Sequence, residues 1–281
     1  MRTRRFGAGV IAVVALTAPL FAQWPVHPTS NVPRTADGRP NLLAPTPRTA
    51  NGTPDLSGIW GNPGWRQIGA GTGVSGTGGA PGTPAVLPRG PGLFFDIGSG
   101  VPGGLPFQPW AADLRSKRMA EGSKDNPDAH CLPMGNMQLY THPQPRKIVQ
   151  TPEVIVILYE GNAGIRQIFT DGRPLPDNDP QPWWFGYSSG RWDNDTLVVE
   201  TRGFRDGGWL DVNGSPLTDA AKMTERFTRV NYGNLDIEIT VDDAKAYTRP
   251  WTVTVKNEIM LDTELIEFVC LENEKSTRHF Q

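Results

Sequence analysis

From residue 147 onward the chain breaks into short β-branched or aromatic runs, each closed by Pro, Gly or an Asn-bearing turn. That punctuation constrains the fold more than any other feature. Residues 147–150, 154–160 and 165–169 are the first such runs, and Val154-Ile155-Val156-Ile157-Leu158 is apolar on both faces, as in a central strand. Asp171-Gly172-Arg173-Pro174 reads as a turn. Residues 187–192 and 195–201 flank Asp193-Asn194, and residues 224–232 and 235–241 flank Gly233-Asn234. Both pairs tolerate positive φ and predict two-residue hairpins. In the second, a loop at 233–234 pairs Tyr232 with Leu235, Val230 with Ile237 and Thr228 with Ile239 on one mainly apolar face, and Arg229 with Glu238 on the other. Residues 252–256 and 265–271 bring the count to about eight strands with few helices between them, which favours antiparallel pairing over βαβ units. The expected fold is therefore mainly β, an antiparallel barrel with room for a small cavity. The alternative is a β-sandwich, disfavoured because the run ends without the core alternation of two stacked sheets.

The rest of the chain is organised differently. Gly (32) and Pro (27) exceed a fifth of the 281 residues, too much for a helical bundle or a doubly wound α/β protein. Residues 23–54 read as an extended arm, 55–60 as the first strand, 61–106 as a Gly/Pro-rich loop with Leu93-Phe94-Phe95 as its anchor, and 107–281 as the β domain, one domain together with 55–60. Residues 110–121 form the best helix candidate, stopped by Gly122, and 125–146 an irregular loop. Lys plus Arg (27) nearly balances Asp plus Glu (29), so neither nucleic acid nor an anionic membrane surface is an expected partner. Arg2, Arg4 and Arg5 precede an uncharged apolar stretch over 7–22, the pattern of a signal peptide (1–22) cut at Ala22–Gln23. Arg4-Arg5-Phe6 also fits twin-arginine export. The stretch is short for the roughly 20 residues that span a bilayer, so no membrane segment is expected after cleavage. The expected location is periplasmic or extracellular. In that setting Cys131 and Cys270, the two cysteines of the chain, are expected to pair, worth up to roughly 5 kcal/mol in the chain-entropy account.

Four stretches carry a resemblance: Pro54-Asp55-Leu56-Ser57-Gly58-Ile59-Trp60; Phe169-Thr170-Asp171-Gly172-Arg173; Gly186-Tyr187-Ser188-Ser189-Gly190-Arg191-Trp192 running into Asp195-Thr196-Leu197-Val198-Val199-Glu200-Thr201-Arg202-Gly203-Phe204; and Tyr247-Thr248-Arg249-Pro250-Trp251-Thr252. Together they resemble a family of exported, largely uncharacterised bacterial proteins, which implies a secreted, mainly β domain and no transferable activity. Gly58-Ile59-Trp60 is also similar to the Gly-x-Trp mark of lipocalins, where the Trp closes one barrel end over a basic residue. That likeness implies a barrel of the lipocalin or calycin kind.

Candidate chemistry is sparse. Gly186-Tyr187-Ser188-Ser189-Gly190 matches a nucleophile elbow, but no helix follows it, and the next His is His279 near the C-terminus. Its glycines suit a bent strand or a close backbone approach better. Asp128, His130 and His142 could act in acid–base chemistry; a three-His metal site would need His27 or His279 from the termini, a site of two His plus a carboxylate is the alternative, and the expectation is a loop beside the disulfide with no metal. Glu200 shares a face with Val198; if that face is interior, Glu200 is a buried carboxylate that needs Arg166 or Arg191. Trp183, Trp184, Tyr187, Ser188, Trp192 and Trp251, with Arg166 and Arg191, are the candidate ligand-binding residues, because aromatics with polar handles line pockets for rings. No nucleotide, flavin or haem signature is present, so no cofactor is expected. The leading expectation is an exported protein that binds a small, partly aromatic or apolar molecule in a Trp-lined cavity. The rival is an enzyme of hydrolase or isomerase type using that cavity, with Glu200 or His130 as general acid/base. The third is a structural or partner-binding surface protein. A carboxylate beside an Arg inside the cavity would favour the enzyme, an apolar cavity binding, and a filled barrel the structural role.

Overall fold

The structure, a computed structural model, describes residues 28–63, 96–176 and 181–272. The expected signal peptide and the Gly-rich stretch at 69–91, with its anchor at Leu93-Phe94-Phe95, lie outside these residues. Nine strands close into one barrel: β1 (Gly58–Gly61), β2 (Arg146–Gln150), β3 (Val154–Tyr159), β4 (Ile165–Phe169), β5 (Tyr187–Asp193), β6 (Thr196–Arg202), β9 (Lys222–Asn231), β10 (Asn234–Asp242) and β11 (Trp251–Met260). Around the barrel they run β1-β11-β10-β9-β6-β5-β4-β3-β2 and back to β1. Closure removes the edges of this main sheet. Two short strands, β7 (Gly208–Trp209) and β8 (Pro216–Leu217), pair with each other outside it.

The barrel is mixed rather than wholly antiparallel, because β4 and β5 pair in parallel. A parallel pair cannot be joined by a hairpin, so β5 does not follow β4 through a tight turn. Inward positions on β10 (Leu235, Ile237, Ile239, Val241) and β11 (Trp251, Val253, Val255, Ile259) are buried and meet Ile155, Ile157 and Phe227 in one continuous core.

The second hairpin departs from its expected register. Asn231 pairs with Asn234 around Tyr232-Gly233, and a bulge then sets Leu235 against Arg229, Ile237 against Phe227 and Ile239 against Glu225. The offset turns the other face of β9 inward. Met223, Glu225, Phe227 and Arg229 are buried, while Val230 is 55% exposed. In the first hairpin the turn is Asn194-Asp195, with Asp193 paired to Thr196. Residues 265–271 form no strand: β11 already pairs with β1, so the closed barrel offers them no ladder position. Cys270 instead forms the disulfide to Cys131, with Cα atoms 5.6 Å apart.

At one end Trp60 is fully buried, its indole donates to the Leu56 carbonyl at 3.0 Å, and the Arg229 guanidinium lies 4.9 Å from its ring centre. The arm seals this end, since Ala44 and Leu42 accept from the Tyr232 and Gly233 amides, both at 2.8 Å, and Arg48 forks onto Asp195. Elsewhere α1 (Pro109–Ala120) packs beside β8, with Arg118 over the Trp209 ring. The expected loop at 125–146 contains a single 3-10 turn (Pro127–His130) and α2 (Asn136–Thr141). Every residue of α2 is buried, so it lacks the polar stripe that marks an amphipathic helix in sequence. No helix among the described residues is long and apolar enough to cross a membrane.

Candidate functional site

The parallel junction is the weak seam of the barrel. Antiparallel neighbours such as β5 and β6 register from Tyr187–Arg202 to Asp193–Thr196, whereas β4 and β5 share the pairs Ile168–Ser188 and Phe169–Ser189. Beyond those pairs the strands diverge into a groove of about 650 Å³. Its walls are Trp183, Trp184, Phe185 and Tyr187, and Arg166 and Ser188 lie at its base. The walls are held by the crossover: the Trp183 amide donates to the Gly203 carbonyl at 3.0 Å, and the Arg205 amide to the Trp183 carbonyl at 2.9 Å. Trp183 stacks on Tyr187 at 4.2 Å, and Phe185 lies flat on the buried Tyr159 at 6.2 Å.

The two glycines around Ser188 serve this packing. Gly186 has φ +64°, and a Cβ there would sit 2.8 Å from Thr201 Cγ2 and 2.9 Å from the Arg202 carbonyl. A Cβ at Gly190 would come within 3.0 Å of Ile168. The Gly-x-Ser-x-Gly pattern thus marks a bend entering β5 and a close approach inside the barrel, with Ser188 on a strand and no helix behind it.

Arg166 is 1% exposed and forks onto Glu225, which is fully buried. Its Nη1 donates to Glu225 Oε1 at 2.9 Å and to the Tyr140 hydroxyl at 2.9 Å; its Nη2 donates to Glu225 Oε2, to Thr201 Oγ1 at 3.0 Å and to Ser188 Oγ at 3.1 Å. Ser188 and Thr201 also bond to each other at 2.9 Å. The network therefore runs from β4 through β5 and β6 to β9, with Tyr140 added from α2, and it ties the seam where ladder bonds are few. Burial works against the Arg166 charge, but Glu225 outweighs it and raises the pKa above the ordinary arginine value. Burial, with Glu225 close by, likewise holds the Tyr140 phenol well above its ordinary range. The base of the groove is thus a permanently charged guanidinium, held rigid under aromatic walls.

Of the residues expected at a site, Trp183, Trp184, Tyr187, Ser188 and Arg166 meet in this groove. Arg191 and Glu200 do not enter it. They pair at 3.0 Å on the outer face of the sheet, with side chains 66% and 48% exposed, beside a smaller hollow of about 160 Å³. Glu200 is outside because Leu197, Val199 and Thr201 take the inward positions of β6, so the buried carboxylate is Glu225. Trp192 packs against the core from a partly exposed position, and Trp251 is a core residue set edge-on to Tyr247. His130 is exposed, its Nε2 2.9 Å from the Lys124 carbonyl, and it is not part of the groove. No group of three or more metal-ligating side chains occurs among the described residues. Sequence reasoning missed Glu225, Thr201 and Tyr140. The alternation Met223-x-Glu225-x-Phe227 was the available signal for Glu225, hidden by the wrong hairpin register. Comparison of the chain with protein-family models, curated proteins and solved structures finds no match.

Proposed function

We propose that this is an exported protein, periplasmic or extracellular, that binds a small, partly aromatic molecule in the groove at the β4–β5 seam. One observation carries the reading: aromatic walls converge on a base whose polar groups are already fixed by Glu225, Thr201 and Tyr140. Rigid aromatic surface gives contact area at little cost in side-chain entropy, and a preformed polar base orients the ligand. The Cys131–Cys270 disulfide supports an oxidising compartment. The contact of Trp60 with Arg229 supports the likeness to lipocalin-type barrels. Binding is favoured over catalysis because Glu225 lies behind Arg166, outside the groove lining and engaged by a fork, so it is not placed to move a proton on a ligand. The test is a titration with 2-naphthol followed by tryptophan fluorescence. Saturable binding is expected, weakened at least tenfold in Trp184→Ala. Absence of saturable binding, or an affinity unchanged in Trp183→Ala/Trp184→Ala, refutes it.

A further inference from the structure

Arg146 is a second guanidinium inside the barrel, and it lacks what Arg166 has. It is 1% exposed on β2, opposite Tyr159 of β3 on one side and Trp60 of β1 on the other. Its Nη2 donates to Asn62 Oδ1 at 3.0 Å and to the Tyr140 carbonyl at 3.3 Å. Its Nε and Nη1 are buried and meet no acceptor among the described residues. No carboxylate pairs with it among the described residues. The buried Tyr159 hydroxyl also makes no hydrogen bond of normal geometry. Burial pushes the Arg146 pKa down with no carboxylate to offset it. Glu225 neutralises Arg166 alone, so this end of the interior carries uncompensated positive charge, a strongly unfavourable state unless an anion joins it.

These groups lie one aromatic ring behind the groove. Phe185, a groove wall, stacks on Tyr159 with its plane only 5° from parallel, and Tyr159 stands edge-on to Tyr140 at 6.1 Å. We propose that Arg146 and Tyr159 form an anion site inside the barrel that takes a carboxylate, either free or carried by the molecule whose aromatic body fills the groove. The second form rests on the proposed function and narrows its ligand to an aromatic acid. A carboxylate supplies acceptors to the unused N–H groups and to the Tyr159 O–H, and its charge balances the guanidinium. Other cations near the groove, Arg173 and Arg205, are also within reach of an acid, so the variant that discriminates is Arg146 itself.

The experiment compares 2-naphthoate with the isosteric, uncharged 2-naphthamide at neutral pH. The wild type is expected to bind the acid at least tenfold more tightly, Arg146→Met to bind both alike, and Tyr159→Phe to lose at least threefold of the preference. Equal affinities in the wild type, or a preference that survives both substitutions, overturn the proposal and leave the groove reading standing. If neither naphthyl compound binds, the groove reading fails, and acetate alone decides the anion site. At constant ionic strength a saturable rise in Tm in the wild type that is lost in Arg146→Met upholds it, and parallel responses overturn it. Should Arg146→Met not fold, Tyr159→Phe, which removes one hydroxyl, carries the same comparisons.

Discussion

Replacing Glu225 with Gln takes the negative charge from a guanidinium that is 1% exposed and leaves its shape in place. Gln can still accept from Nη1, but its amide group would point N–H bonds at Nη2, so one arm of the fork becomes a donor–donor contact. Tyr140, Ser188 and Thr201 remain around Arg166, and none of them carries charge at neutral pH. Removing one member of a fully buried pair costs about 3–5 kcal/mol, a large share of the roughly 5–15 kcal/mol that holds a domain folded. Removing both members is different. In Arg166→Met/Glu225→Leu both charges of this pair are gone, Ser188 and Thr201 lose the guanidinium but keep their mutual bond, and the Tyr140 hydroxyl loses the donor Arg166 supplied, at about 1–3 kcal/mol. Urea unfolding followed by tryptophan fluorescence should therefore rank wild type above the double variant and the double variant above Glu225→Gln. A loss below about 1 kcal/mol in Glu225→Gln, or a double variant less stable than the single, would refute the claim that Glu225 neutralises a buried cation.

Gly186→Ala should cost about 2–4 kcal/mol from left-handed backbone and overpacking against Thr201, while Gly172→Ala, also at positive φ but in open space, should cost about 1 kcal/mol; equal unfolding midpoints would contradict this. Substituting both cysteines with Ser should lower stability by up to about 5 kcal/mol for a bridge spanning 139 residues; in the wild type, intact mass should show two alkylated thiols after reduction and none before it. Burial lowers the His142 pKa below its ordinary 6.5, with Asp128 acting in the opposite sense. The folded state therefore favours the neutral ring: its contribution is full above about 6.5 and is lost as pH falls through the lowered value. Urea midpoints from neutral pH down to about pH 5 should fall more steeply for the wild type than for His142→Gln, and parallel profiles would exclude His142 as the cause.

Local pattern was enough to find most strands. Val154–Tyr159, Ile165–Phe169 and the four hairpin arms are legible because β-branched content and turn residues act between neighbours along the chain. The helix Pro109–Ala120 was legible from its formers and the glycine that ends it. Likewise, the five groove residues that converge had an aromatic or polar character visible in sequence. What local pattern left open is which side of each strand faces inward. Val198 and Glu200 alternate with Leu197 and Val199 equally well in either orientation, and only the packed barrel puts Glu200 in solvent and Glu225 beside Arg166. A bulge between Asn234 and Leu235 turned β9 over, and no residue type near it announces that step. Tyr140 comes from a stretch with no amphipathic period, since every side chain of α2 is buried, and Arg146 opens β2 a few residues later. The parallel seam at β4–β5 is set by closure of the whole ring: the other pairings leave these two strands side by side and running the same way, and their short ladder opens into the groove. The sequence by itself determined the strands and turns, whose preferences are local; facing, register and the partner of each buried charge depend on the free energy of the whole barrel.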